Sequence, residues 1–117
     1  MDPARVARAH GVFNVISGLW PLVSMGTFER VTGPKADRWL VQTVAGLMVA
    51  NGVTQLSGAT SREGVRLAGL IGRSTAAVLA GIDLAYAHQG RISRVYLLDA
   101  AVELGWVALW STVRRPR

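Results

Sequence analysis

Apolar residues occur in four long runs along the chain, separated by short polar gaps. Each run is close to the length that an α-helix needs to cross the hydrocarbon core of a membrane, about 20 residues. We therefore predict an all-α fold: an antiparallel, up-down-up-down four-helix transmembrane bundle that forms a single domain. The predicted helices cover residues 4–25, 38–59, 64–87 and 93–113.

The gaps between the runs contain residues that are typical of turns and helix caps. Gly33 and Pro34 predict a turn before the second helix, and Asp37 is placed to cap that helix. Ser61 is placed to cap the third helix in the same way. Pro21 lies late in the first helix, where it predicts a kinked or loosened last turn.

Tryptophan and tyrosine positions give a second indication of the register. In four antiparallel spans, Trp20, Trp39, Tyr86 and Tyr96 lie near one membrane interface, and Trp110 approaches the opposite one. These residue types are enriched at the level of lipid headgroups. The aromatic positions therefore agree with the predicted spans.

Small residues recur at helical spacing and predict packing surfaces. One row in the third helix is Ala68, Gly72, Ala76 and Ala80, and a second row is Ala77, Gly81 and Ala85. Rows of this kind allow helices to approach closely in lipid. They fit internal packing and a homo-oligomer equally well.

Composition agrees with a membrane protein without requiring one. Half of the residues are hydrophobic, 17% are charged and the mean hydropathy is +0.31. This leaves a soluble helical bundle open as an alternative. The chain has no cysteine, which excludes disulfides, thiolate catalysis and metal sites built on cysteine.

The net charge of +6 suggests an anionic partner. The basic residues lie mainly in the gaps, and the only dense cluster is Arg114, Arg115 and Arg117. We therefore expect the lipid bilayer as the partner and no nucleic acid. The face with both termini collects seven basic residues and the other face five, so the positive-inside rule favours a multi-pass protein of the cell inner (plasma) membrane with both termini in the cytoplasm.

Polar side chains at helical spacing are the candidate functional residues. Lipid offers no hydrogen-bond partners, so these side chains are expected to face the interior of the bundle. Residue counts place several of them near the midplane and predict an ion pair between Arg73 and Glu103. The predicted polar layer comprises His10, Asn14, Asn51, Arg73, Asp83, Asp99 and Glu103.

Two interpretations of this layer remain open. In the structural interpretation, a buried ion pair and amide side chains fix the register of the helices. In the functional interpretation, the layer is a polar pocket or a proton path, because three carboxylates outnumber one arginine. The excess carboxylates would then be protonated, hydrated or bound to a cation.

The sequence contains no pattern that indicates an enzyme. No nucleophile and base have a recognisable catalytic spacing, and no phosphate-binding or dinucleotide-binding loop occurs. No His-x-x-x-His or Glu-x-x-His pattern suggests a metal site. We expect no catalytic residue, no metal and no cofactor.

The segment FERVTGPKADRW is predicted to be the loop between the first two helices, either an ordinary reversal or a cap over a pocket mouth. The run FERVTGPKADRWLVQTVAGL, with YLLDAAVE downstream, resembles small, uncharacterised bacterial four-helix integral membrane proteins. The resemblance covers most of the chain and implies an integral membrane fold, but it transfers no activity or site. The small multidrug transporters resemble the chain less, because their essential carboxylate lies in the first helix, where this chain has only Asp2.

The favoured function is a non-enzymatic membrane scaffold or accessory protein with a buried polar layer. The alternative is a proton-coupled transporter or small-ligand carrier that uses Glu103 and Asp99.

Overall fold

The computed structural model describes residues 2–113, and it is all-helical over this range, as the sequence predicted. Arg114, Arg115 and Arg117, which entered the charge count, lie outside the described residues. Within the described range the helices are α1 Pro3–Val23, α2 Met25–Thr32, α3 Arg38–Gly58, α4 Arg62–His88 and α5 Val95–Thr112.

The four long helices alternate in direction. Gly11 of α1 lies against Gly52 of α3. Gly18, which comes later in α1, lies against Ala45, which comes earlier in α3, so the two helices run antiparallel. Gly69, in the first part of α4, lies against Trp110, near the end of α5, so α4 and α5 also run antiparallel. The packing is closest within the pairs α1–α3 and α4–α5.

Glycine allows α1 and α3 to touch backbone to backbone. A Cβ atom on Gly11 would lie 2.8 Å from the carbonyl oxygen of Gly52, and a Cβ atom on Gly52 would meet the backbone of Gly11 in turn. Such close approach is the usual role of small residues between membrane helices. The α1–α3 pair therefore cannot accept side chains at these two positions without moving apart.

The first row of small residues in α4 is the buried face of that helix. Ala68, Gly72, Ala76 and Ala80 are all buried, whereas the second row, at Ala77, Gly81 and Ala85, is exposed. The first row therefore serves packing within the chain. At Gly81, in the second row, a Cβ atom would meet no described residue within 4 Å.

Helix α2 was not predicted. The first part of the segment FERVTGPKADRW, which was predicted to be a loop, belongs to this helix. The first helix ends at Val23, and α2 leaves it at an angle of 107°. Pro21 removes one backbone donor from the last turn of α1. Phe28 packs edge-on against Trp20, with ring centroids 5.1 Å apart, and Gly33 then ends α2 at a φ of 98°.

By length and composition, fewer helices could cross a membrane than the four that were predicted. Among the described residues, α4 is long and apolar enough to cross a membrane on its own. The bent pair α1–α2 becomes a second candidate if it is counted as one span. The all-helical fold is thus confirmed, while four transmembrane helices remain a prediction.

Replacing Gly52 by Ala should destabilise the fold by about 1–3 kcal/mol, because the added methyl group overpacks the α1–α3 contact. The matched control is Gly46→Ala on the same helix, where a Cβ atom meets nothing within 4 Å. That control should be neutral or stabilising by up to about 1 kcal/mol. Unfolding in detergent measures both changes, and equal effects of the two variants would contradict the close contact.

Candidate functional site

Many large apolar side chains lie on the outside of the bundle, and several polar side chains lie inside it. The buried hydrophobic residues are mostly alanines, while large apolar side chains face outward; Val23, Val78 and Leu98 are 80%, 64% and 68% exposed. Soluble domains bury most of their large aliphatic side chains and keep charges outside. The buried polar and charged residues are His10, Asn14, Thr32, Gln55, Asp83 and Glu103.

One half of the polar interior is a hydrogen-bonded network, which we call the His10 network. It consists of His10, Asn14, Gln55 and Trp110. The indole Nε1 of Trp110 donates to His10 Nδ1 at 2.9 Å, and Asn14 Nδ2 donates to Gln55 Oε1 at 2.7 Å. Gln55 Nε2 lies 3.2 Å from His10 Nδ1 and donates to the carbonyl oxygen of Ala68 at 3.3 Å. The network therefore joins α1, α3, α4 and α5.

The network determines which nitrogen of His10 is the acceptor. An indole N–H can only donate, so His10 Nδ1 must accept from Trp110, and the ring proton must then be on Nε2. The ring also stacks on Trp106, with centroids 4.4 Å apart and planes 8° from parallel. His10 is thus held on two sides as a neutral member of the helix packing.

The other half of the polar interior is a carboxylate group formed by Asp83 of α4 and Asp99 and Glu103 of α5. Asp83 and Asp99 lie in the wall of the same cavity, and Glu103 lies one helical turn after Asp99. Asp83 Oδ2 and both oxygens of Glu103 are buried without a hydrogen-bond partner in the described part of the chain. Buried polar atoms normally have partners, so this group differs in kind from the His10 network.

A cavity of about 520 Å³ lies beside the carboxylate group. Asp83 and Asp99 line it, together with the hydroxyl groups of Ser17 and Thr32, and Glu103 is not part of the lining. The rest of the wall is apolar and partly aromatic, as is common in sites for small molecules. The aromatic residues of the lining are Phe13, Trp20, Phe28 and Tyr96.

Helix α2 and the turn after it border one end of this cavity. Phe28 and Thr32 of α2 are part of the lining, and the ammonium group of Lys35 lies 4.7 Å from the ring centroid of Tyr96. Glu29 accepts a hydrogen bond from the backbone N–H of Lys35 at 2.8 Å and forms an ion pair with Arg38. Of the two interpretations of this segment, an ordinary reversal or a cap over a pocket mouth, the second agrees with its contribution to the cavity wall.

The predicted ion pair between Arg73 and Glu103 is wrong. Arg73 is exposed, Glu103 is buried, and no ion pair joins them among the described residues. The reason is the rotation of α4: its buried row includes Gly72 and Ala76, and successive residues of a helix point about 100° apart. Arg73 therefore points away from α5 when the row of small residues faces inward.

The other predicted residues divide between the two halves of the interior. His10 and Asn14 belong to the network, and Asp83, Asp99 and Glu103 form the carboxylate group. Asn51 is half-buried and donates from Nδ2 to the hydroxyl of Thr75 at 3.2 Å, outside both groups.

Two members of the His10 network were absent from the predicted layer. Gln55 is at i+4 from Asn51 on α3, so helical spacing was the signal that indicated it. Trp110 was placed near a membrane interface but is 4% exposed and donates to His10. Its position near a helix end gave no sign of a partner across the bundle.

Among residues 2–113, no group of three or more His, Asp or Glu side chains has an arrangement that could hold a metal ion. Comparisons of the chain with protein-family models, with curated proteins and with solved structures each found no match. The functional proposal therefore rests on the residues and their geometry.

Replacing Gln55 by Ala should destabilise the protein by about 1–3 kcal/mol, because Asn14 Nδ2 loses its acceptor while staying buried. Gln42→Ala on the exposed side of α3 is the matched control and should change stability by less than about 0.5 kcal/mol. Thermal unfolding in detergent compares the two. Equal midpoints for both variants would show that the network does not support the fold.

Proposed function

We propose that the protein is an integral membrane protein that binds a small ligand in the cavity beside Asp83 and Asp99 and acts as a carrier. The observation on which this rests is a pair of carboxyl groups in the wall of a largely apolar cavity, one of them with a buried oxygen that has no hydrogen-bond partner among residues 2–113. A buried group of this kind needs a proton, water or a cation as its partner.

The large apolar side chains on the outside of the bundle support the bilayer as the surroundings. Large apolar side chains on the outside of α1, α3, α4 and α5 would be in contact with water in a soluble bundle. In lipid they are solvated, and the polar residues gain by turning inward. The proposal includes the predicted localisation as a multi-pass protein of the inner membrane with both termini in the cytoplasm.

The carrier proposal uses the carboxylate group in two ways. In this proposal Asp83 and Asp99, which line the same cavity, hold one proton between them, and a bound cation replaces that proton. Glu103 lies one helical turn after Asp99 with no hydrogen-bond partner among the described residues, and it serves as a second proton site. Binding and proton release are then linked, as in a proton-coupled carrier, and no enzymatic step is proposed.

The second candidate is the scaffold or accessory protein that the sequence favoured. The His10 network supports it, because its hydrogen bonds connect four helices and leave no polar side-chain atom of the network buried without a partner. This is the pattern of a group that maintains helix packing. An assembly of several copies through the exposed second row of α4 would belong to this candidate and remains a prediction.

Single cysteines should test both the membrane and the cavity, because the chain has no cysteine of its own. Ser17→Cys places a thiol in the cavity lining, and Ser74→Cys places one on the exposed face of α4. If lipid covers the outside and water enters the cavity, a hydrophilic maleimide should label position 17 at least about tenfold faster than position 74 in native membranes, because only the ionised, hydrated thiol reacts.

The alternatives give different labelling patterns. A soluble bundle should label faster at position 74, which is exposed, than at position 17, which is half-buried. A membrane bundle without a water-accessible cavity should label at neither position until it is denatured. Retention of the protein in the membrane fraction after carbonate washing is the matching bulk measurement.

Replacing Glu103 by Gln should leave the stability within about 1 kcal/mol of the original, because the buried side chain has no hydrogen bond or ion pair to lose. Accumulation in membranes and thermal unfolding in detergent measure this. Asp37→Asn, at an exposed position whose side chain makes no cap hydrogen bond, is the control for neutralising a carboxylate. A severe loss of accumulated protein with Glu103→Gln alone would favour the structural role over the carrier.

A further inference from the structure

We propose that the ligand of the cavity is an amphipathic amine in its protonated form, with its ammonium group on Asp83 and Asp99 and its apolar body along the cavity wall. This inference deepens the proposed function and depends on the cavity being a ligand site. It assigns a chemical class to the ligand from three features of the wall.

The first feature is an unbalanced negative charge. The described residues that line the cavity include two aspartates and no Lys, Arg or His. Helices α1 and α3 contribute no ionisable side chain to the lining. Lys35 lies against two lining residues but is occupied there: its ammonium group lies over the Tyr96 ring and donates to the carbonyl oxygen of Thr32 at 3.1 Å. The aspartates thus have no cationic partner in the lining, and a ligand with one positive charge would supply it.

The second feature is an unused acceptor. Asp83 is 5% exposed, and its Oδ2 atom has no donor in the described part of the chain. A protonated amine carries N–H groups and can donate to this oxygen, whereas a quaternary ammonium has the charge but no donor. Hydrogen bonds to a charged group are worth about 1.5–3 kcal/mol, so the amine should bind about ten to a hundredfold tighter than its quaternary analogue.

The third feature is the apolar wall. Phe13, Trp20, Phe28 and Tyr96 line the cavity together with aliphatic side chains. Besides the two aspartates, the described lining residues carry polar side-chain groups only at Ser17, Thr32, Tyr96 and Trp20, and the Trp20 indole already donates to Thr27. A small inorganic cation would leave this wall without a partner. A ligand with one charged end and an aromatic or aliphatic body fits both parts of the cavity.

The test measures binding to the full chain in lipid nanodiscs by isothermal titration calorimetry, with empty nanodiscs subtracted. Phenylbutylamine is the protonated amine, phenylbutyltrimethylammonium is the quaternary analogue, and phenylbutanol is the neutral analogue. We expect saturable binding of the amine and binding weaker by about tenfold or more for both analogues.

Two pairs of variants locate the binding. Asp83→Asn combined with Asp99→Asn should weaken binding of the amine by about tenfold or more, whereas Asp37→Asn, at an exposed position, should not. Val44→Trp should block the cavity from α3, and Val53→Trp, at an equally exposed position of the same helix outside the lining, should not. The tryptophan pair leaves the carboxylates intact, so it decides the question even if the double asparagine variant does not fold.

The outcomes separate this inference from the proposed function. Tight amine binding that is lost in Val44→Trp and kept in Val53→Trp, with both analogues weaker, supports both. Equal binding of amine and alcohol that Val44→Trp still blocks overturns the amine and leaves the ligand site in place. Equal binding of the amine and the quaternary analogue overturns the role of the Asp83 acceptor. If Val44→Trp changes the binding of no probe, the ligand site fails together with the inference.

Discussion

The need to pair buried polar groups governs this interior, and the chain meets that need in only one of its two halves. In the His10 network, Asn14, Gln55 and Trp110 each donate to an acceptor on another helix, so the burial of these donors is compensated. In the carboxylate group, Asp83 and Glu103 keep acceptor atoms that have no donor in the described part of the chain. The cost of burying a charge is much larger than that of burying an amide, so the unsatisfied half is the one that a structural role explains least.

The packing of the helices explains why the two halves differ. Contacts between Gly11 and Gly52 bring α1 and α3 together closely enough for Asn14 and Gln55 to bond directly. Small residues in α4 allow a similar approach to Trp110 of α5. Toward the α2 end, large side chains such as Phe28 and Met48 border a cavity instead. Close packing thus coincides with the hydrogen-bonded network, and the cavity coincides with the carboxylate group.

The sequence predicted the long helices well, because long apolar runs with turn residues between them are the strongest local signal. Helical spacing also placed His10 and Asn14 in the interior correctly. It could not predict α2, since a short helix of mixed polarity next to Gly33 and Pro34 has the composition of a loop. The Arg73–Glu103 pair failed for a different reason: depth along a helix can be counted from the sequence, but rotation about its axis depends on which face the neighbours bury.

That failed pair changes the interpretation of the whole polar layer. A carboxylate with an arginine beside it is a structural element that needs nothing further, and such a pair would have made a scaffold the sufficient explanation. With Arg73 outside, Asp83, Asp99 and Glu103 share a low-polarity region with no cation recorded among them. The described residues supply no donor to Asp83 Oδ2 or to the two oxygens of Glu103. Under the proposed function their partner is water, a proton or a ligand, and the cavity that Asp83 and Asp99 line is the open space beside them.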